Sequence, residues 1–234
     1  MEPKTVLLLH GGGLSRWNFR AVADRLGGYR VILPPLDGHA GSEYDFTSIG
    51  DNAQRLIDRI DREFGGHVAV LGGLSLGAQV ALEMLARRPD VCDRAILESA
   101  SVIPSKATAA LLGPSVALSY GLIRRRWFAK IQADYLRIPK DLFEDYYRDS
   151  CAISKENLAA ILRASTLYAP PEGLEAIRAK VRVVVGGKEQ PSMRKSARLL
   201  HEMIPGSILE IRPGLRHGEY SLKTPQDYAN DLMR

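Results

Sequence analysis

An α/β fold built on a mostly parallel sheet is the architecture this 234-residue chain predicts, on three observations. Short apolar runs bounded by glycine or proline alternate with helix-length amphipathic segments, the rhythm of strands joined by crossover helices. Runs such as Val183-Val184-Val185 are apolar on both faces, as a strand covered on both sides of a parallel sheet must be. The turn Gly73-Leu74-Ser75-Leu76-Gly77 leads from an apolar run into a helical stretch, and its flanking glycines mark a tight strand-to-helix junction.

The elements follow in order. Thr5–His10 reads as the first strand, Trp17–Leu26 as a helix and Tyr29–Leu33 as the second strand. Ile49–Phe64 carries Ile49, Ala53, Leu56, Ile57, Ile60 and Phe64, a stripe with the 3.6-residue helical period. Val68–Leu71 is a strand, Ala78–Arg88 a helix and Arg94–Ser99 the next strand. Arg182–Gly186 and Ser207–Ile211 complete about six strands, separated by helix Met193–Ile204 and followed by helix Thr224–Met233. One stretch breaks the rhythm: residues 104–173 contain no strand pattern, whereas Ala107–Leu112, Leu118–Gln132, Asp141–Asp149 and Lys155–Leu167 read as helices. A structureless loop of that length does not suit a compact domain. The expected organisation is a core of residues 1–103 and 174–234, with 104–173 inserted before the penultimate strand as a helical lid.

Composition narrows the function classes. Hydrophobic content of 45% and charged content of 25% are those of an ordinary globular domain. No apolar stretch approaches the roughly 20 residues that span a bilayer, so no membrane span is expected. The formal charge of +5 gathers only at Arg124-Arg125-Arg126, without interleaved aromatics, and a solvated helix face explains it better than a nucleic acid does. The two cysteines, Cys92 and Cys151, form no spacing motif and read as free thiols of a reducing cytoplasm.

The chemistry centres on Ser75. A serine hydroxyl is a weak nucleophile until a base takes its proton, so a histidine is required. Of the five histidines, His10, His39 and His217 lie at carboxyl ends of strands, where open parallel sheets collect their functional groups. His67 begins a strand and His201 sits inside a helical pattern, so neither qualifies. Trp17 and Phe19 serve equally as a pocket floor or as packing for the first helix.

The chain resembles the α/β-hydrolase superfamily, and within it the lidded serine carboxylesterases. The motifs that carry the resemblance are His10-Gly11-Gly12-Gly13, Asp37-Gly38-His39-Ala40-Gly41-Ser42, the Gly-x-Ser-x-Gly elbow at Ser75, and His217 after the last strand. The resemblance implies a triad in the chain order nucleophile, acid, histidine. Ser75 would attack and His217 would be the base, with His10 and His39 left to structural roles. Glu189, in the loop Gly186-Gly187-Lys188-Glu189-Gln190-Pro191, stands where the family usually places aspartate; Glu98, at the end of the preceding strand, is the rival acid. The oxyanion donors would be the amides of Gly12 and Leu76, with Gly13 as the alternative to Gly12. The superfamily's first antiparallel hairpin has no counterpart before Thr5.

The implied activity is hydrolysis of a small or medium carboxylic ester through an acyl-enzyme, with no metal or organic cofactor. Its rate should rise with pH through a histidine pKa of about 6.5. The same triad serves thioester or lactone hydrolysis, acyl transfer and lyase chemistry, and the fold does not choose among them. A non-catalytic ligand receptor on a hydrolase shell is the alternative of a different class. The expected partner is a small acyl substrate, and the reading allows a homo-oligomer.

Overall fold

Six parallel strands form a single sheet in the order β2-β1-β3-β4-β5-β6 in the computed structural model, which describes residues 3–234. They are β1 (Thr5–Leu9), β2 (Arg30–Ile32), β3 (Val68–Leu74), β4 (Cys92–Glu98), β5 (Lys180–Gly186) and β6 (Ile208–Arg212). Among the described residues no strand pairs antiparallel. After β1 the chain fills the β2 edge, then returns past β1 to lay down β3 and proceeds to the β6 edge. The strand order therefore reverses between β1 and β3, which pair with Leu7 opposite Leu71 and Leu9 opposite Gly73. A crevice opens at the carboxyl ends of strands at such a reversal. Gly11–Gly13 and Ser75 emerge there.

Side chains alternate across the sheet with the two-residue period of a strand. Leu7 and Leu9 of β1 and Val181, Val183 and Val185 of β5 enter one core layer, while Val6, Leu8 and Val184 enter the other. Over the first layer lie α2 (Ile49–Phe64), α3 (Leu76–Arg87) and α8 (Pro191–Met203). Helix α2 begins where the Ser48 hydroxyl accepts the Asp51 N–H and ends at Gly65, whose φ of 65° is the left-handed C-cap conformation. Helix α3 is buried almost all round, as expected for a helix between the sheet and α2.

The second layer holds the closing helix α10 (Pro225–Met233) and the segment after β1. That segment departs from the helix expected over Trp17–Leu26. It is a 3-10 turn at Arg16–Phe19 running into the single turn α1 (Arg20–Ala23). The Ser15 hydroxyl, at the N-cap position, accepts no helix N–H and donates to Asp149. Trp17 and Phe19 are 1% and 0% exposed and pack on Tyr146 and Tyr228, so they belong to the core.

Between β4 and β5 the described residues form helices α4 (Lys106–Ile123), α5 (Arg126–Tyr135), α6 (Phe143–Ala152) and α7 (Lys155–Leu167), with no strand. The two helices read at Ala107–Leu112 and Leu118–Gln132 are instead α4, continuous through Pro114, and α5. These helices are tied into the main core. Ile161 and Tyr168 join the first core layer, and Ala129, Ala133 and Tyr146 join the second. Asn157 accepts the Phe46 N–H and donates to Asp45, pinning α7 to the loop before α2.

Candidate active site

The turn at Ser75 is dictated by backbone proximity. Ser75 has φ 53° and ψ −113°, a strained conformation for a residue with a side chain. A Cβ on Gly77 would lie 2.1 Å from the Leu9 carbonyl oxygen, and one on Gly73 would lie 2.4 Å from that of Gly77. Only glycine fits at either place. The Ser75 N–H donates to the Glu98 carbonyl at 2.8 Å, locking the turn to the end of β4.

His10 and His39 stitch together the two loops beside it. His10 Nε2 accepts the Leu36 N–H and its Nδ1–H donates to Gly11 O. His39 Nε2 accepts the Gly13 N–H at 3.0 Å and its Nδ1–H donates to Asp37 O. Burial pushes both pKa values down, that of His10 to about 3, so both rings stay neutral and structural. The Gly13 amide is thereby engaged. The Gly12 amide has no acceptor among the described residues, and a Cβ on Gly12 would touch Leu76 Cβ at 3.6 Å. Leu76 is the first residue of α3, where a helix N–H lacks an intrahelical partner. Two unpaired N–H donors thus flank Ser75.

Glu189 and His217 meet across the loops after β5 and β6. Gly187 N–H donates to Arg212 O and Lys188 N–H to Leu215 O, and a Cβ on Gly186 would lie 2.4 Å from Leu215 O. This close packing places the carboxylate beside the ring. His217 Nδ1–H donates to Glu189 Oε2 at 2.9 Å. Glu189 Oε1 accepts the Ser99 hydroxyl and the Gly186 N–H, each at 2.7 Å. Burial alone would raise the Glu189 pKa, but the hydrogen bond and charge of His217, with Ser99 and Gly186, outweigh it and hold the carboxyl below its ordinary value.

Glu98 sits nearby without bonding the ring. Its Oε1 accepts the Ser221 N–H at 3.3 Å and its Oε2 has no partner among the described residues. Burial raises its pKa to about 7, against the pull of the Ser221 hydrogen bonds. His67 is exposed and pairs with Asp93, and His201 pairs with Ser207, both remote from the site.

A cavity of about 50 Å³ unites Ser75, His217, Gly11 and Gly12, walled by Leu14, Leu74, Leu136, Ile138 and Leu222. No hydrogen bond joins Ser75 to the ring directly; such contacts commonly tighten when substrate arrives. Three contributors, Ser99, Leu136 and Ile138, have no motif in the sequence. Ser99, with φ 55°, orients Glu189; its only sequence signal is its place after the end of β4. Leu136 and Ile138 come from the segment after α5. Among the described residues no cluster of His, Cys, Asp or Glu suits a metal ion, and no helix is long and apolar enough to cross a membrane.

Known proteins share this architecture. The chain is 31% identical over 87 residues to Lipase 3 of Moraxella sp. (strain TA144), a match spanning 36% of this chain and 28% of the lipase. A thermophilic esterase from Thermogutta terrifontis, solved with malate bound, superposes with a TM-score of 0.78 at 23% identity, covering 98% of this chain and 88% of the esterase. An esterase from Exiguobacterium antarcticum gives 0.81 at 22% identity, with 99% and 91% covered. The enol-lactonase from Burkholderia xenovorans LB400 gives 0.82 at 16% identity, with 100% and 91% covered. These three show a common fold. The model of the alpha/beta hydrolase family matches residues 6–231, nearly the whole chain, and the protein belongs to that family.

Proposed function

We propose that this hydrolase-family protein is a serine esterase that cleaves small or medium carboxylic esters through an acyl-enzyme. The observation that carries the reading is the Glu189–His217 hydrogen bond, made by a ring that lines the same cavity as Ser75. With Nδ1 as the donor, Nε2 is left with a lone pair to accept a proton. Ser75 Oγ attacks the ester carbonyl carbon and its proton passes to His217 Nε2. The carbonyl oxygen, now an alkoxide, is stabilised by the Gly12 and Leu76 N–H groups. Collapse of the intermediate breaks the carbon–oxygen bond, and His217 returns the proton to the departing alcohol. Water then attacks the acyl-serine with His217 again as base, releasing the acid and free Ser75. Glu189 stays ionised throughout and steadies the imidazolium. No step uses a metal or organic cofactor.

Residues 104–173 act in this reading as a cap on the core of 1–103 and 174–234, with Leu136 and Ile138 reaching the cavity from it. The cytoplasm is the proposed location, because Cys92 and Cys151 are both unpaired thiols.

The test is intact-mass analysis after reaction with a fluorophosphonate probe. One adduct is expected on the native chain and none on Ser75→Ala. A folded native chain that takes up no probe would overturn the reading. Ester, thioester and lactone substrates then separate the reactions that this constellation could run.

A further inference from the structure

Two cavities meet at His217 and Leu136, and their chemistry differs. The cavity beside Ser75, about 50 Å³, is walled by glycines and aliphatic side chains. It holds roughly three or four non-hydrogen atoms at the volume a water needs, enough for a short acyl group. The second cavity is larger, about 340 Å³, and Arg137, Lys188 and Arg216 line it with Tyr135, Gln190 and Met193.

Its three cations come from three separate segments: the end of α5, the loop after β5 and the loop after β6. All three are exposed, and none of them makes a side-chain hydrogen bond or an ion pair among the described residues. The one carboxylate in the lining is Glu189, and its oxygens are already engaged by Ser99, Gly186 and His217. Glu219 feels the Arg137 charge, but its own oxygens are held by the Arg216 N–H and the Lys223 ammonium. The lining therefore sets three cations against one carboxylate and is net positive beside the ring.

Arg137 adds a second observation. It has φ 59° immediately after α5, in the left-handed position where glycine is ordinarily favoured, and the following Ile138 N–H closes back on Ala133 O at 2.9 Å. A bulky cation kept where a glycine would relieve strain points to a use for the side chain.

The general acid fixes which half of the substrate lies in this cavity. His217 must deliver its proton to the leaving oxygen, so the alcohol part sits against the ring while the acyl part sits at Ser75. We propose that the substrate is a short-chain ester whose alcohol part carries an anionic group, carboxylate or phosphate, held by Arg137, Lys188 and Arg216. The proposal rests on the serine-esterase reading above.

The test compares 3-acetoxybenzoate with its methyl ester, which differ in charge and share the acetyl group and aryl leaving group. The ratio of kcat/KM for the charged over the neutral ester should be about tenfold or more at low salt. It should fall as ionic strength rises from about 10 mM to about 500 mM. In the triple variant Arg137→Gln/Lys188→Gln/Arg216→Gln the ratio should drop to about one. A phosphate-bearing aryl acetate run alongside distinguishes the two anions. As a readout without turnover, 3-hydroxybenzoate should slow fluorophosphonate labelling of the native chain and not of the triple variant. Hydrolysis of both esters at equal rates, with no protection by 3-hydroxybenzoate, would overturn the proposal and leave the esterase reading standing. Absence of both probe labelling and turnover would overturn the esterase reading itself, and this proposal with it.

Discussion

Replacing Glu189 by glutamine keeps the shape of the side chain and changes one atom's role. The two donors on Oε1, the Ser99 hydroxyl and the Gly186 N–H, each at 2.7 Å, require an acceptor there. The glutamine carbonyl oxygen must take that place, which puts its NH2 where Oε2 now accepts from His217 Nδ1–H at 2.9 Å. Two donors cannot share a hydrogen bond. The ring resolves the conflict by moving its proton to Nε2, and Nδ1 then accepts from the amide. The nitrogen that should receive the Ser75 proton is now occupied. Loss of the correct tautomer is worth about 10⁴-fold in kcat, which is about 5 kcal/mol at 1.36 kcal/mol per decade. The assay is kcat on a short aryl ester, with the rate of fluorophosphonate labelling as a second readout and thermal melting to show that the variant folds. Glu98→Gln, in the same assays, should lose less than about tenfold, because Glu98 makes no hydrogen bond to the ring. A folded Glu189→Gln variant within tenfold of the native rate would refute this account of the site. A large loss in Glu98→Gln instead would transfer the acid role to Glu98.

Three further outcomes follow from burial, close approach and helix propensity. Glu98 is fully buried with its pKa raised from 4.5 to about 7. Between those values the folded state holds a proton that the unfolded state has released, so stability falls as pH rises through this window, by about 3 kcal/mol in total. Urea unfolding from pH 4.5 to 8 should show this slope in the native chain and lose it in Glu98→Gln; parallel profiles would contradict it. Gly77→Ala would bring a Cβ to 2.1 Å from Leu9 O and 2.6 Å from His10 O, both backbone atoms of the sheet and its exit. It should cost about 3 kcal/mol or more and abolish probe labelling. Gly121→Ala, with nothing within 4 Å on exposed α4 and no proline after it, should gain about 0.5–1 kcal/mol in the same denaturation assay.

The sequence by itself determined the elements whose causes are local. Helix α2 runs from Ile49 to Phe64 as its apolar stripe requires, because the Ser48 cap, the stripe and the left-handed Gly65 all act within a few residues. The parallel strands follow from doubly apolar runs, and Ser75 between Gly73 and Gly77 follows from a turn that admits no Cβ. Tertiary structure decided what depends on loops meeting in space. Trp17 and Phe19 drop into the core, and the expected helix around them shortens to a 3-10 turn and a single α-turn. Gly12 rather than Gly13 keeps a free amide, because His39, 26 residues away, takes the Gly13 N–H. Glu189, in the loop after β5, and Glu98, at the end of β4, both lie between Ser75 and His217 in the chain; loop placement favours Glu189 in the sequence but does not show its contact. Only the packing of Gly186 against Leu215 and the left-handed turn at Ser99 bring Glu189 to a ring 28 residues away. The basic cavity beside that ring is likewise invisible along the chain. Propensity and capping reach over a few residues, whereas a site is assembled from side chains whose separation is fixed by the whole sheet.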